Sequence, residues 1–418
     1  MNIELYKERR KQLLHAVQEK GSEGPILLSA AFEREVHHFR QDSTFYYFTG
    51  VTEPGAVCII SPDGKTDLFV PEYKADRSRW LADHVCIDGD PQVYGVDTIQ
   101  ALGKPVSGFT LSPFAGQDAY AYVLDALSAY MKKTYTVYAV MAERASLFDQ
   151  VYRNNCLQQW LGDTSFHDIY SSVCQLRRKK SNHEIELMHH ATATTITAQE
   201  AAAQAIAPGV SEAYVQAALE YVMTESGAVP SFPSIVASGS RSTILHYQAN
   251  NRQMQSGELV VVDCGASNAY YCSDLTRTFP VSGSFTKRQR EVYAAVLEAH
   301  DYVASCLKPG YYLKSDAYPE KSLHHLACEV LNKHGLSDYI EHGIGHFLGI
   351  DVHDAGDVTQ PLEKDDVITI EPGVYIPEEQ IGVRIEDDYW LIEDGAICMS
   401  QNLPRTIDEI EALSRRFF

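Results

Sequence analysis

Residues 259–280 read LVVVDCGASNAYYCSDLTRTFP, and two later stretches read VITIEPGVYI (367–376) and GVRIEDDYWLI (382–392). Each joins an apolar run to a carboxylate. Asp263 ends the run Leu259-Val-Val-Val, and a buried carboxylate must be neutralised, exposed or coordinated because leaving it unpaired is costly. Asp274 follows eleven positions on (274 − 263), beyond a Gly-containing turn. That separation is ample for a hairpin returning the second acid beside the first. Glu371 follows Val367–Ile370 and is stopped by Pro372-Gly373. Strand alternation puts Arg384 and Glu386 on one face, Val383 and Ile385 on the other. Strands are therefore predicted at Leu259–Asp263, Ala269–Phe279, Val367–Tyr375 and Gly382–Ile392. A strand-end cap explains any one of these acids. Four at the ends of apolar strands point to a shared site.

Helical signals surround these strands. One helix opens near His183 and ends at Pro208-Gly209. Ser211 is a good N-cap for the next, with Val215, Ala218, Leu219 and Val222 on one face. Thr286 to Gln289 has the form of a capping box, and Leu323 to Leu331 marks a helix stopped by Gly335. Helices stacked on an antiparallel sheet make this half an α+β domain, residues 173–418. The first half, 1–172, alternates short strands (Pro25–Leu28, Ala56–Ile60, Asp67–Val70) with a helical pattern at Ala119–Met131, an α/β layer fold. It holds no catalytic cluster. Between the two, Arg177-Arg-Lys-Lys-Ser181 reads as a solvated boundary leading into a helix.

The 418 residues carry 35 Lys plus Arg against 56 Asp plus Glu, a formal charge of −21. So acidic a surface disfavours nucleic acid and anionic membranes as partners. No run approaches the length of a membrane span, and the N-terminus reads as an amphipathic helix, without the apolar core of a secretory signal. Nine Cys, without CxxC spacing and with Cys264 and Cys306 in apolar surroundings that suggest buried thiols, fit a reducing, cytoplasmic setting.

The segment His342-Gly-Ile-Gly-His346-Phe-Leu-Gly-Ile-Asp-Val-His353-Asp brings three histidines together. His342 and His346 have the spacing of a helical zinc pair, but Gly343 and Gly345 argue against a helix and for close backbone approach. A glycine-rich nucleotide loop fits poorly, because no βαβ pattern surrounds it. Oxygen-rich ligation with one imidazole suits hard or borderline divalent ions, Mn²⁺ above all. Four carboxylates balance the charge of two such ions.

At these residues the chain resembles the aminopeptidase P and prolidase branch of the pita-bread metallopeptidases, over roughly residues 175–415. The order Asp263, Asp274, His346, Glu371 and Glu386 is similar to that family's five-ligand set. The resemblance implies a creatinase/prolidase-type N-terminal domain and a pita-bread (creatinase/aminopeptidase-like) catalytic domain. It implies two divalent ions on those five residues, with Glu371 also orienting or deprotonating the attacking water. His246 and His342 would face the peptide, and His353 would donate to the scissile carbonyl oxygen. Arg384 would orient Glu386 or neighbouring acids, and Tyr375 would stand near the leaving nitrogen. The stretch RQDSTFYYFTGVTEP (40–54) favours aminopeptidase P, acting on peptides with proline second, over prolidase, acting on Xaa-Pro dipeptides. Trp80 loosely matches a tryptophan that reaches a neighbouring subunit's site, which implies a homo-oligomer, dimer or tetramer. The remaining alternative, a non-catalytic pita-bread binding protein, typically breaks a ligand set that is intact here.

Overall fold

The computed structural model describes residues 3–414 except 22, 35–37, 82–83, 132–133 and 143–146. Two compact units meet between Leu176 and Arg177, slightly beyond the junction expected near 172. The N-terminal unit runs α1 (Ile3–Gln18), β1 (Ile26–Ser29), α2 (Ser43–Thr49), β2 (Val57–Ile60), β3 (Thr66–Val70), β4 (Thr98–Ala101), α3 (Ala121–Met131), β5 (Thr136–Ala139), α4 (Phe148–Leu161), β6 (Ser165–Asp168) and α5 (Tyr170–Arg178), whose last two residues, Arg177 and Arg178, already belong to the second unit. Its strands form one mixed sheet in the order β4-β3-β2-β1-β5-β6. The predicted β2–β3 hairpin is antiparallel, while β1–β5 and β5–β6 are parallel. Leu27, Ile59, Phe69 and Val137 of this sheet pack with Leu124, Leu127 and Leu157 of α3 and α4. That burial makes the strands short apolar runs.

The second unit runs α6 (Asn182–Ala205), α7 (Glu212–Glu225), β7 (Val229–Pro230), β8 (Ile235–Ser238), β9 (Leu259–Cys264), β10 (Ala266–Asn268), β11 (Tyr271–Cys272), β12 (Leu275–Pro280), α8 (Lys287–Cys306), α9 (Leu323–Lys333), β13 (Val367–Ile370), β14 (Gly373–Ile376), β15 (Ile381–Arg384), β16 (Asp387–Ile392), β17 (Gly395–Cys398) and α10 (Ile407–Ser414). Capping boxes at Ser181/Glu184 and Thr286/Gln289 start α6 and α8, and the Ser211 side chain caps α7. Small sheets, β12-β9-β8, β13-β16-β17 and β14-β15, are all antiparallel. Ala198 and Ala202 of α6, Leu219 of α7 and Val292 and Val296 of α8 cover Val260, Val262, Val383 and Ile385. The outward alternates, Asp263, Arg384 and Glu386, are thereby left for a separate face.

Four expectations change. The predicted strand Ala269–Phe279 is three pieces of chain: a tight β10–β11 turn at Ala269 and Tyr270, both with positive φ (46° and 75°), then a break before β12. The turn lacks the Asn-Gly signal that such hairpins usually carry. The predicted strands 367–375 and 382–392 are likewise interrupted, at Glu371-Pro372 and Ile385-Glu386. Arg177–Ser181 is no solvated boundary. Arg177, Arg178 and Lys180 are all buried, and Lys179 alone of the four cations is exposed. Finally, Cys306 is only partly buried, whereas Cys264 is fully so.

Candidate metal centre

Each break in a strand delivers an acid. Asp263 lies in β9 opposite Thr276 of β12, and Asp274 immediately precedes β12. Glu371 sits between β13 and β14, its N–H donating to Ile344 O at 2.9 Å, and Glu386 precedes β16, its N–H donating to Thr276 O at 3.1 Å. The His342–His346 segment is not helical, in keeping with its glycines, and runs beside β13 through Thr369 N to His346 O (2.9 Å). A Cβ on Gly345 would stand 2.0 Å from Thr369 O, so close approach requires glycine there; Gly343 faces open space.

Asp263, Asp274, His346, Glu371 and Glu386 line one cavity of about 560 Å³ together with His246, His342, His353 and Arg384. Donor atoms of Asp274, His346 and Glu386 lie within 4.8 Å of one another. His346 Nε2 is 3.5 Å from Asp274 Oδ2 and 3.6 Å from Glu371 Oε1. Its Nδ1 is 3.0 Å from Phe347 O. A carbonyl only accepts, so Nδ1 carries the proton and Nε2 turns its lone pair toward the carboxylates, the disposition of a metal-ligating imidazole.

The acids fit a cation by a second test. Asp263 Oδ1 and Asp274 Oδ1 are buried with no hydrogen-bond partner among the described residues, which is rare for atoms that need one. Burial, then the nearby Glu386, Asp263 and Glu371 carboxylates, push the Asp274 carboxyl well above the usual range. Burial, then Glu371 and Asp263, do the same to Glu386. Among the described residues Arg384 is the single buried cation hydrogen-bonded to these carboxylate groups, too little positive charge to balance four acids. Divalent cations bound among these acids would supply what is missing.

Behind the acids runs a directed chain. Arg384 donates to Asp263 Oδ2 (2.6 Å), to Thr276 Oγ1 (3.1 Å) and to Tyr375 Oη (2.8 Å). Thr276 in turn donates to Glu386 Oε2 (2.7 Å). His342 Nδ1 lies 2.8 Å from Gly343 O and so donates, leaving Nε2 to accept from Tyr375 Oη at 2.8 Å. Burial lowers the pKa of His342, and burial followed by the adjacent His346 imidazole lowers that of His353, both shifts favouring the neutral ring. Burial pushes Tyr375 up to about 12, keeping its hydroxyl protonated.

Two expected residues do not line this cavity. Tyr375 is only 2% exposed, and its hydroxyl holds His342 and Arg384 from behind the cavity wall. Trp80 belongs to the N-terminal unit, where it is 66% exposed and stacked on Phe109 with ring centroids 5.1 Å apart. Sequence reasoning missed the apolar wall of the cavity, Phe232, Ile235, Leu245 and Val352, and the hydroxyl of Thr276. Apolar residues lining a cavity look like core residues in sequence, and Thr276 reads as an ordinary strand residue.

Known proteins agree with this geometry. The model of metallopeptidase family M24 matches residues 186–393, and that of the aminopeptidase P N-terminal domain matches 6–107. The chain is 30% identical to Xaa-Pro aminopeptidase of Escherichia coli, covering 97% of this chain and 96% of that one. It is 39% identical to Xaa-Pro dipeptidase of Pyrococcus furiosus over 84% of this chain and 89% of the other. The solved structure of aminopeptidase P from E. coli with the inhibitor Pro-Leu matches 99% of this chain and 98% of its own, with TM-score 0.84 and 27% identity. With catalytic fold, N-terminal domain and full-length relatives in accord, the chain belongs to metallopeptidase family M24, in its aminopeptidase P branch.

Proposed function

We infer that the protein is a metallo-aminopeptidase that hydrolyses the bond between an N-terminal residue and a following proline. The observation that carries this reading is the convergence of four acids and one correctly turned imidazole on a single cavity, in a chain with an aminopeptidase P N-terminal domain. Asp263, Asp274, His346, Glu371 and Glu386 would hold two divalent ions. Those ions, when bound, supply Lewis-acid polarisation of the carbonyl and a water acidic enough to react near neutral pH.

The chain's own residues do the rest. Glu371, partly exposed to the cavity, accepts the proton of the attacking water and passes it to the proline nitrogen as the C–N bond breaks. Neutral His353 donates its ring N–H to the carbonyl oxygen as negative charge grows there. His246, exposed at the cavity wall, helps hold the peptide. Arg384 fixes Asp263 directly and Glu386 through Thr276. The bond before proline has no N–H for a protease to grip. Phe232, Ile235, Leu245 and Val352 offer apolar contact that suits a pyrrolidine ring and an apolar neighbour.

The reading extends to Mn²⁺ as the ion, for which oxygen-rich ligation speaks. It extends to a homo-oligomer, supported by the exposed Trp80–Phe109 stack, and to a reducing cytoplasm, supported by nine cysteines without CxxC spacing. A second reading, prolidase, rests on the 39% identity to a dipeptidase. Parallel assays with Mn²⁺ separate the two. The protein should release the first residue of an Xaa-Pro-Xaa tripeptide faster than it splits an Xaa-Pro dipeptide. Faster dipeptide cleavage establishes the prolidase reading in its place.

A further inference from the structure

His353 is the proposed oxyanion donor, yet its side chain makes no hydrogen bond among the described residues. Its ring stands exposed to the cavity, 4.2 Å from the His346 ring centroid to centroid. Where that ring points therefore depends on the backbone that carries it. The next residue, Asp354, is held hard. Its N–H donates to Phe347 O at 2.9 Å, closing the loop on itself. Its Oδ2 accepts from Lys180 Nζ at 2.9 Å, and its Oδ1 from Arg177 Nη2 at 2.5 Å. The same Nη2 reaches Asp351 Oδ2 at 2.7 Å. The Asp354, Arg177 and Lys180 side chains are 2%, 3% and 1% exposed, so the clamp is dry. Burial works against the Asp354 charge, but Lys180 and Arg177 outweigh it and hold the carboxyl below its usual range.

The loop is shaped around this clamp. A Cβ on Gly349 would lie 2.1 Å from Asp354 Oδ2 and 2.9 Å from Lys180 Cε, so only glycine lets the carboxylate and the lysine stem cross there. The cations that form the clamp come from the buried stretch at the start of the catalytic unit.

We propose that Asp354, clamped by Lys180 and Arg177, is a positioning residue that fixes the His353 imidazole against the scissile carbonyl. It touches neither the substrate nor the ion ligands and acts through His353 alone. The inference rests on the peptidase reading and assigns Arg177 and Lys180 to it as well.

A double-mutant cycle tests it on the Mn²⁺-loaded enzyme, using Asp354→Asn, His353→Ala and the pair, with kcat and KM on an Xaa-Pro-Xaa peptide and metal content by atomic absorption. Asp354→Asn should lower kcat about 10–100-fold, the scale for residues that orient a working group. KM and bound metal should stay near the wild-type values. In the His353→Ala background the same substitution should cost nothing further. Equal fold-losses in both backgrounds, or loss of metal in Asp354→Asn, overturn the proposal. Should Asp354→Asn fail to fold, Lys180→Met, which keeps the Arg177 contact, enters the same cycle under the same criteria. An inactive wild-type enzyme sinks the peptidase reading instead, so the two failures are distinguishable.

Discussion

Replacing Glu371 with Gln should lower kcat on an Xaa-Pro-Xaa peptide by about 10²–10⁴-fold, the range for removing a general base. The substitution keeps the shape of the side chain and everything that places it. The backbone N–H of Glu371 still donates to Ile344 O at 2.9 Å, and Thr369 Oγ1, 3.3 Å from Oε1, can still donate to an amide oxygen. What disappears is one negative charge beside His346 and the capacity to take a proton. The fold should therefore survive, and the melting temperature measured without added metal should barely change. One carboxylate fewer also relieves the crowding that raises Asp274 and Glu386. Steady-state kinetics with metal content determined on the same samples reads the effect. Turnover near that of the wild type removes Glu371 from the chemistry.

Replacing Arg277 with Met should produce the largest loss of stability, about 3–5 kcal/mol, the cost of stranding one partner of a buried ion pair. Arg277 and Asp387 are both fully buried and meet at 2.7 Å. The same guanidinium donates to Thr276 O (2.9 Å), Glu386 O (2.7 Å), Leu403 O (3.2 Å) and Pro404 O (2.7 Å). Methionine fills the space but takes the guanidinium away from those carbonyls and from the Asp387 carboxylate, to which, among the described residues, Ser400 Oγ (2.6 Å) alone still donates a good hydrogen bond. His300 Nε2 lies 3.1 Å from Asp387 Oδ2, at ion-pair distance but out of line for a hydrogen bond, and it is a partial substitute.

The deficit depends on pH in a defined direction. Burial opposes the Asp387 charge, but Arg277, with His300 and Ser400, depresses the carboxyl far below its ordinary value. A depressed folded-state pKa gives stability that is complete above the unfolded carboxylate range, about 3.9 for Asp, and that fades as pH falls through the folded value. The gap between wild type and Arg277→Met should thus be widest near neutral pH and shrink in acid. Urea unfolding at several pH values measures it. A change no larger than about 0.5 kcal/mol, typical of surface substitutions, contradicts the account.

Much of the site could be read from sequence because an acid at the end of an apolar run conflicts with burial, and that conflict is local. Asp263 after Leu259–Val262 and Glu386 within Gly382–Asp388 announce themselves in this way. The tight turn at Ala269-Tyr270 could not be read, since neither residue has the left-handed preference that marks such turns, and tertiary contacts decided the matter. Arg177, Arg178 and Lys180 misled for the opposite reason. A run of cations looks solvated until the partners Asp354 and Asp366, far along the chain, are brought to it. Tyr375 was visible as a site residue, but its burial and its place between Arg384 and His342 are properties of packing. The apolar cavity wall, from Phe232 to Val352, carries no mark that separates it from core.

The central claim is that five side chains from β9, the start of β12, the segment beside β13, and the breaks before β14 and β16 hold a pair of divalent ions. Calorimetric titration of the chelator-stripped protein with Mn²⁺ tests it most directly. Binding should saturate at two ions per chain and fall below two in Asp263→Asn and Glu386→Gln. Saturation at one ion or none in the unaltered chain contradicts the account.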